Sequence, residues 1–221
     1  MRDRKGYDPV TTNKEQILAK LRNAVMEKPE AMFEDIDLRS DTWKPISEED
    51  GNAITFVQKF KDMGGIFIYL ENEAELGECL RQLIPQNDWD PLWCTSPEMQ
   101  TLLDKFGINY SIEPDTTRKK VVSIIPCDCL IAQTGSIVVT DGKAGSRKAY
   151  TDCDILLVTA RTSQITGGLK DAMQLLHERL GNQANTQAVV LTGTTQTYTI
   201  EQEPITGVFG ARQMAVFLVD D

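Results

Sequence analysis

The chain has 221 residues, of which 41% are hydrophobic, so it can bury a sizeable core in one α/β domain or two small ones. Its 33 acidic and 23 basic side chains give a net charge of −10, which disfavours binding to nucleic acid or to anionic membranes. No apolar run approaches the roughly 20 residues of a membrane span, and no secretory-signal pattern follows Met1. Five cysteines, an odd number, fit a reducing compartment better than a disulfide framework, so we expect a cytoplasmic protein.

Residues 1–52 are predicted to form a helix followed by an acidic connector. Apolar side chains recur at helical spacing after Asn13, and this helix is expected to end before Pro29. Residues 28–50 then hold eight carboxylates against three basic side chains. Such a charge run is typical of a solvated connector, and an acidic docking arm for a partner subunit is the alternative.

From residue 53 onward, amphipathic helices alternate with short apolar strands. Helices are predicted over 53–61 and 72–83, with a buried strand at Ile66–Leu70 between them. A short strand over 91–94 precedes a helix that begins at Ser96-Pro97 and ends before Gly107. This alternation is typical of a parallel sheet covered on both faces.

The second half of the chain is rich in strands. One helix is predicted over 169–180, among strands at 121–125, 129–131, 137–140, 154–159, 188–191 and 215–219. We therefore expect a single α/β domain over 53–221, built on one open, largely parallel sheet with helices on both faces.

Four Thr-Gly pairs fall in this second half. They are Thr134-Gly135, Thr166-Gly167, Thr192-Gly193 and Thr206-Gly207. In an open α/β sheet, ligands bind beyond the carboxyl ends of the strands, where a glycine lets the backbone approach an anion and hydroxyls can donate to it. Ordinary turns are the alternative for each pair.

The run 193–201 contains many hydroxyl groups, which would need partners if they were buried. A ligand site would supply such partners. An exposed, threonine-rich edge strand explains the run equally well.

Three ordered motifs carry a resemblance to a known family. They are Ile131–Ser136, Leu191–Glu201 and Gly207–Arg212. Through them, the chain resembles the LUD family of lactate-utilization proteins, and its stand-alone members in particular, over residues 55–221. The resemblance implies a sheet of the NagB/RpiA/CoA-transferase-like type. It also implies an accessory role beside iron-sulfur and flavin-type partner proteins in the oxidation of L-lactate to pyruvate.

The same motifs supply the candidate site. Glu201 is the candidate catalytic carboxylate. The residues expected to bind a small anionic ligand are Gln133, Thr134, Gly135, Ser136, Gly193, Thr194, Thr195, Gln196, Thr197, Gly207, Phe209, Gly210 and Arg212.

Several charged members of the family pattern are neutral in this chain. Gln133 stands where the family usually has the acid of an Ala-Glu-Thr-Gly motif. Neutral residues also replace the family's Ser-Arg, Ala-Asp and His-Gly-Pro, at Thr195-Gln196, Tyr198-Thr199 and Phe209-Gly210-Ala211. Because an amide is a poor nucleophile, covalent acyl transfer through Gln133 is disfavoured. Glu201 and Arg212 do match, so the sequence predicts a pocket that binds better than it catalyses.

Other reactive side chains have simpler explanations. Cys127 and Cys129 lack the four-ligand spacing of a metal or cluster site, so we expect buried apolar thiols and no metal. The single histidine, His177, falls beside the apolar stripe of its helix, which favours a structural role. Residues 141–147 are predicted to form a turn between two strands, with a mobile anion-binding loop as the alternative. No nucleotide-binding motif occurs, so no cofactor is predicted.

Two functional hypotheses follow. The first is an accessory lactate-utilization protein that binds a small anionic ligand or an iron-sulfur redox partner and that can form homo-oligomers. The second is an enzyme of the NagB/RpiA/CoA-transferase-like class acting on a sugar phosphate or acyl-CoA, with Glu201 as base or nucleophile and Arg212 holding the anion. A pure interaction module, docking through 28–50, is a third possibility.

Overall fold

The computed structural model describes residues 13–26, 46, 51–181, 187–194, 196–201, 203–206 and 210–221. By its internal contacts the chain divides into two compact units, Met1–Thr42 and Trp43–Asp221. In the first unit, helix α1 (Asn13–Met26) is described, as predicted, and its apolar side chains Ile17 and Leu21 are more than half exposed. The predicted acidic connector, apart from Ile46, lies outside the described residues.

The second unit contains the remaining helices and all twelve strands that the described residues form. The helices are α2 (Gly51–Asp62), α3 (Glu73–Asn87), α4 (Pro97–Phe106), α5 (Asp141–Ala144), α6 (Lys148–Thr151) and α7 (Leu169–Leu180), with a 3-10 turn at Thr162–Gln164. The strands are β1 (Ile66–Leu70), β2 (Leu92–Trp93), β3 (Tyr110–Ser111), β4 (Val122–Pro126), β5 (Cys129–Ile131), β6 (Ser136–Thr140), β7 (Ile155–Arg161), β8 (Ile165–Thr166), β9 (Ala188–Leu191), β10 (Gln196–Tyr198), β11 (Pro204–Thr206) and β12 (Gln213–Val219). None of the described helices is both long and apolar enough to cross a membrane.

A six-stranded sheet in the order β1-β12-β7-β4-β2-β3 forms the centre of this unit, and its strand pairs are parallel. Its middle strands are buried along almost their whole length. Successive side chains of a strand point to opposite faces of the sheet, so each of these strands contributes to a core on both faces. In β7, Ile155 and Leu157 pack with α3 and α4, whereas Leu156 and Val158 pack with α2, α5 and α6. The predicted α/β class, parallel sheet and helices on both faces are confirmed.

Local chemistry sets the ends of the helices beside this sheet. Asn72 caps α3, since its Oδ1 accepts a hydrogen bond from the Glu75 backbone N–H at 3.0 Å. Pro97 occupies the first turn of α4, and Gly107, with φ +64°, ends it as predicted.

A second sheet, in the order β8-β5-β6-β9, lies over one face of the first. Its inner residues, among them Leu130 and Ile137, join the core under α2, and its outer residues, among them Cys129 and Ile131, pack against α7. The expectation of one open sheet is therefore wrong for the strands at 129–131, 137–140 and 188–191. Apolar runs identify strands, but they do not show which strands pair.

Two further expectations need correction. Ile66–Leu70 has the predicted bounds, but β1 is an edge strand and Leu70 is its only buried residue. Residues 141–147 do not form a turn between paired strands, because β6 pairs with β9 rather than with β7. They begin instead with α5, whose first turn is capped by the Thr140 hydroxyl.

Candidate functional site

A cavity of about 690 Å³ opens at the carboxyl edge of the six-stranded sheet. Pro126, Arg161 and Val219 line it from the ends of β4, β7 and β12, and α3, α4, α5 and α7 supply further walls. This edge is where open α/β sheets bind ligands. The volume lies within the range of about 300 to 1,000 Å³ that is typical of small-molecule sites.

Part of the cavity wall is apolar. Leu76 from α3 and Met99 from α4 are almost fully buried beneath it, and Leu102 packs beside them. Cys127 also lines the cavity, and its complete burial raises the pKa of the thiol far above its usual value, with Cys129 and Asp128 adding to the shift. The Cys127 thiol therefore stays neutral and behaves as apolar surface rather than as a nucleophile.

Charged side chains surround this apolar wall. Four cations line the cavity, Lys105, Lys143, Arg161 and Arg179, against two carboxylates, Glu73 and Glu98. The local balance is therefore +2, in a chain whose net charge is −10.

Glu73, in the first turn of α3, organises one end of the cavity. The Lys105 Nζ donates to its Oε1 at 2.6 Å, and the Arg161 Nη2 donates to its Oε2 at 3.3 Å. The hydrogen bond from Lys105 is the main cause that lowers the pKa of the Glu73 carboxyl, and partial burial opposes it. Arg161 also reaches Asp221, with 4.0 Å between its Nη1 and the Asp221 Oδ1. We call Glu73, Lys105 and Arg161 the Glu73 end.

The turn between β4 and β5 organises the other cations. The Arg179 Nη1 donates to the Asp128 carbonyl at 3.0 Å, and the Gln164 side chain donates to the Cys127 carbonyl at 2.8 Å. The Asp128 carboxylate accepts from the Thr140 backbone N–H at 2.6 Å, which fixes the start of α5 and so places Lys143 at the cavity. We call Lys143 and Arg179, with this turn, the Asp128 end.

Lys143 is also paired with α4, since its Nζ lies 3.4 Å from the Glu98 Oε2. The Glu98 carboxylate is mostly exposed, so solvent screens this pair. Each end thus has its own carboxylate from the first turn of a helix.

The predicted binding motifs meet elsewhere, in a cluster of hydroxyls. The Thr134 Oγ1 and Ser136 Oγ lie 2.6 Å apart, and the Ser136 Oγ lies 2.8 Å from the Thr192 Oγ1. The pairing of β6 with β9 brings these residues together. Because the three hydroxyls satisfy one another, the buried Ser136 needs no ligand as a partner.

The glycines of these motifs are needed for packing. Gly135 has φ +64°, and a Cβ there would lie 2.6 Å from the Phe60 backbone N and 2.7 Å from the Lys59 carbonyl carbon. Gly193 has φ +67°, and its Cβ would lie 2.8 Å from the Met63 Cβ. Both Thr-Gly turns therefore press against the C-terminal end of α2, which only a glycine allows.

Most of the threonine-rich run forms an exposed hairpin of β10 and β11. Gln196 and Thr197 are exposed on β10, and Glu201 is exposed in the turn. Thr194 and Gly210 are half-buried. The candidates Thr195, Gly207 and Phe209 lie outside the described residues.

Arg212 precedes β12 at the amino edge of the six-stranded sheet. Its Nε lies 3.6 Å from the Asp154 Oδ1, and its backbone N–H donates to the Asp154 carbonyl at 2.8 Å. The cavity lies at the carboxyl edge, so the length of β12 separates the two by roughly 20 Å. None of the described candidates from the three motifs lines the cavity.

Residues 119–219 match the family model described as LUD domain. Over these residues, the chain is similar to the LUD domain family. The predicted resemblance is confirmed for these residues. A solved structure, that of a DUF162 family protein from Deinococcus radiodurans, superposes with a TM-score of 0.57 at 15% identity, covering 79% of this chain and 99% of that one. At this identity the likeness supports the fold. A search of the curated proteins finds no match.

The region that matches the LUD domain model supplies only part of the cavity. Lys143, Arg161 and Arg179 lie within it, whereas Glu73 and Lys105 come from the helices that precede it. The sequence offered two indications of this site. One is the rule that ligands gather beyond the carboxyl ends of strands. The other is the alternative of an anion-binding loop over 141–147, which contains Lys143. Arg161, two residues beyond the strand predicted at 154–159, was the residue that the rule could have found.

The remaining reactive side chains do not assemble a metal site within the described part of the chain, where no group of three or more His, Cys, Asp or Glu residues is placed to hold a metal ion. Cys127 and Cys129 are both fully buried, as expected, but they belong to different core clusters. His177 is exposed on α7.

Proposed function

We propose that this LUD-domain protein binds a small organic anion in the cavity at the carboxyl edge of the six-stranded sheet. The observation that carries the proposal is the surplus of cations there, four against two carboxylates. A cation can donate charge-assisted hydrogen bonds to an anion, each contributing about 1.5 to 3 kcal/mol when well formed. The negative charge elsewhere on the chain repels anions, so the cavity is the region where they can gather.

The biological setting that we propose is lactate utilization in the cytoplasm. The support is the resemblance of the three motifs to lactate-utilization proteins, together with the LUD domain over 119–219. In this role the protein acts beside iron-sulfur proteins that oxidise L-lactate to pyruvate. It would contribute ligand binding or contact with a redox partner rather than a cofactor of its own.

Calorimetric titration tests the binding proposal. Lactate, pyruvate, phosphate, sugar phosphates and acyl-CoA esters are added separately to the full chain at low ionic strength, where charge interactions are least screened. A ligand at 100 times its dissociation constant should also raise the free energy of unfolding by about 2.7 kcal/mol. The Arg161→Gln variant should weaken binding, and Lys61→Gln, on the exposed outer side of α2, should not. An absence of binding by every anion contradicts the proposal.

The lactate role is tested in cells that carry the gene for this chain. Deletion is expected to impair growth on lactate but not on glucose, and the chain tagged at its native level is expected to recover iron-sulfur proteins. Normal growth on lactate, with no redox protein recovered, contradicts this part of the proposal but does not contradict anion binding.

The enzyme alternative is favoured by the size of the cavity, which exceeds the needs of a three-carbon acid. Product formation from each sugar phosphate and acyl-CoA ester can be followed by nuclear magnetic resonance during the same screen. Turnover that depends on Glu201 would support the predicted catalytic carboxylate. Binding without turnover supports the accessory role.

A further inference from the structure

We infer that the cavity takes an elongated dianion, with one negative group at each end and an apolar segment between them. This inference rests on the proposed anion binding and names the class of ligand. It excludes a compact monoanion such as lactate as the best-fitting occupant.

The cations of the cavity form two separate groups. At the Glu73 end, Lys105 and Arg161 are held around one carboxylate by hydrogen bonds of 2.6 and 3.3 Å. At the Asp128 end, Lys143 and Arg179 are positioned by the turn between β4 and β5. Each group is large enough to receive one carboxylate or phosphate group.

Helix α4 gives the spacing between the two groups. Lys143 contacts Glu98 in the first turn of α4, and Lys105 lies seven residues further along the same helix. Seven residues are two helical turns, so both positions share one face and lie about 10 Å apart along the axis. A ligand that reaches both groups must span a similar distance.

The surface between the two groups is mostly apolar. On the cavity face of α4, Met99, Thr101 and Leu102 lie between Glu98 and Lys105, and Leu76 from α3 adds to the same wall. The Thr101 hydroxyl already donates to a backbone carbonyl of its own helix at 2.9 Å. An apolar segment of the ligand gains free energy by covering this surface, whereas a polar segment would lose its contacts with water there.

A three-carbon acid meets few of these features. Its single carboxylate can occupy one end only, and it leaves most of a 690 Å³ cavity unfilled. The arrangement of charges therefore favours ligands that are long enough to reach both ends and that have a second negative group.

The test compares two series of probes on the full chain. Straight-chain dicarboxylates from butanedioate to decanedioate are titrated by calorimetry at low ionic strength, beside monocarboxylates of the same chain lengths. We expect the dicarboxylate affinity to rise with length and to peak where the carboxylates span about 10 Å, as in octanedioate. At that length we expect the dicarboxylate to bind about tenfold more tightly than octanoate, as one additional charge-assisted hydrogen bond would give.

One lysine variant at each end of the cavity tests whether both ends contact the ligand. Lys105→Met and Lys143→Met should each weaken octanedioate binding about tenfold, and the double variant should bind octanedioate no better than octanoate binds to the native chain. Lys61→Met removes an exposed lysine of α2 and should leave both affinities unchanged. Circular dichroism and thermal unfolding check that the variants are folded.

The outcomes separate the two proposals. Equal affinity for mono- and dicarboxylates at every length overturns the inference but leaves anion binding intact. Failure of both series and of inorganic phosphate to bind overturns the proposed function as well. A length optimum that is abolished by both lysine variants supports the inference.

Discussion

The cavity and the hydroxyl cluster of Thr134, Ser136 and Thr192 use polar groups in opposite ways. In the cluster, short contacts of 2.6 and 2.8 Å satisfy the hydroxyls internally, and two glycines close the turns against α2. In the cavity, charged side chains remain partly exposed around an apolar wall, with more cations than carboxylates. The cluster is packed, and the cavity has capacity left for a ligand.

A short sequence motif can indicate local packing, but it does not indicate a cavity built from distant residues. A Thr-Gly turn against a helix requires particular residues at consecutive positions, so it is visible in the sequence. A binding cavity needs only that charges meet in space, and Lys105 and Arg161 are brought together around Glu73 from distant elements. Substitutions in each region test whether the cluster is structural and the cavity functional.

The largest effect is expected from Gly135→Ala. The new methyl group would overlap the backbone of α2 at a position with φ +64°, so we expect a loss of about 3 kcal/mol in the free energy of unfolding. Gly107→Ala is the matched control, because Gly107 has the same φ of +64° with open space around it and should cost about 1 kcal/mol. Urea denaturation measures both. Equal losses would show that Gly135 is not packed as described.

Ser136→Ala should have a smaller effect. It leaves the Thr134 and Thr192 hydroxyls without their shared partner, which should cost about 1 to 2 kcal/mol. A cycle with Thr192→Ala measures the coupling, for which we expect about 0.5 to 1.5 kcal/mol. Additive losses would mean that the two hydroxyls do not interact.

Glu73→Gln should strengthen anion binding. The carboxylate of Glu73 already occupies Lys105 and Arg161, so its neutralisation frees both cations for a ligand. We expect a gain of about threefold in affinity for phosphate or octanedioate, the size of a partly screened charge pair. Weaker binding in this variant would indicate that Glu73 contributes directly to the ligand contacts.

Glu73 should also contribute to the pH dependence of the free energy of unfolding. Because its pKa is lowered from 4.5 in the folded state, its stabilising effect is present above that value and is lost as the pH falls through the lowered pKa. The native chain should therefore lose slightly more stability between pH 6 and pH 3 than Glu73→Gln does. Thermal unfolding across this range measures the difference, and equal losses in the native chain and in Glu73→Gln would contradict the expectation.

The smallest effect is expected from Arg212→Gln. Arg212 is largely exposed and paired with Asp154 at the opposite edge of the sheet, so the change should alter stability by less than about 1 kcal/mol and leave anion affinity unchanged. A clear loss of anion affinity in this variant would indicate that the anion binds at the predicted motifs rather than in the cavity.

Much of the fold could be predicted from the sequence. The bounds of β1, β5 and α7 agree with the predicted ranges, because apolar periodicity reports which face of an element is buried. The second sheet could not be predicted, since β5 and β6 are apolar on both sides whether they lie within one sheet or between two layers. Pairing depends on contacts between distant residues, which periodicity does not contain.

The candidate site was less predictable. The glycine and hydroxyl motifs directed attention to 133–136 and 191–201, where the residues do form close contacts, but with one another and with α2. Lys105 and Arg161 have no distinctive neighbours in sequence, because a basic side chain beside a cavity and one on a solvated surface give the same sequence pattern. The three-dimensional arrangement of the helices and strands is needed to show which of these cations line the same cavity.

The position of β12 between β1 and β7 governs the order in which the protein can assemble. Ile66 of β1 pairs with Ala215, a separation of 149 residues (215 − 66), so β1 cannot pair until β12 has been synthesised. Until residues 213–219 leave the ribosome, β1 is separate from the other four strands, and the edges of β1 and β7 that face β12 are unpaired. Newly made chains are therefore expected to need protection by chaperones, and completion of the cavity, which includes Val219, coincides with completion of the six-stranded sheet.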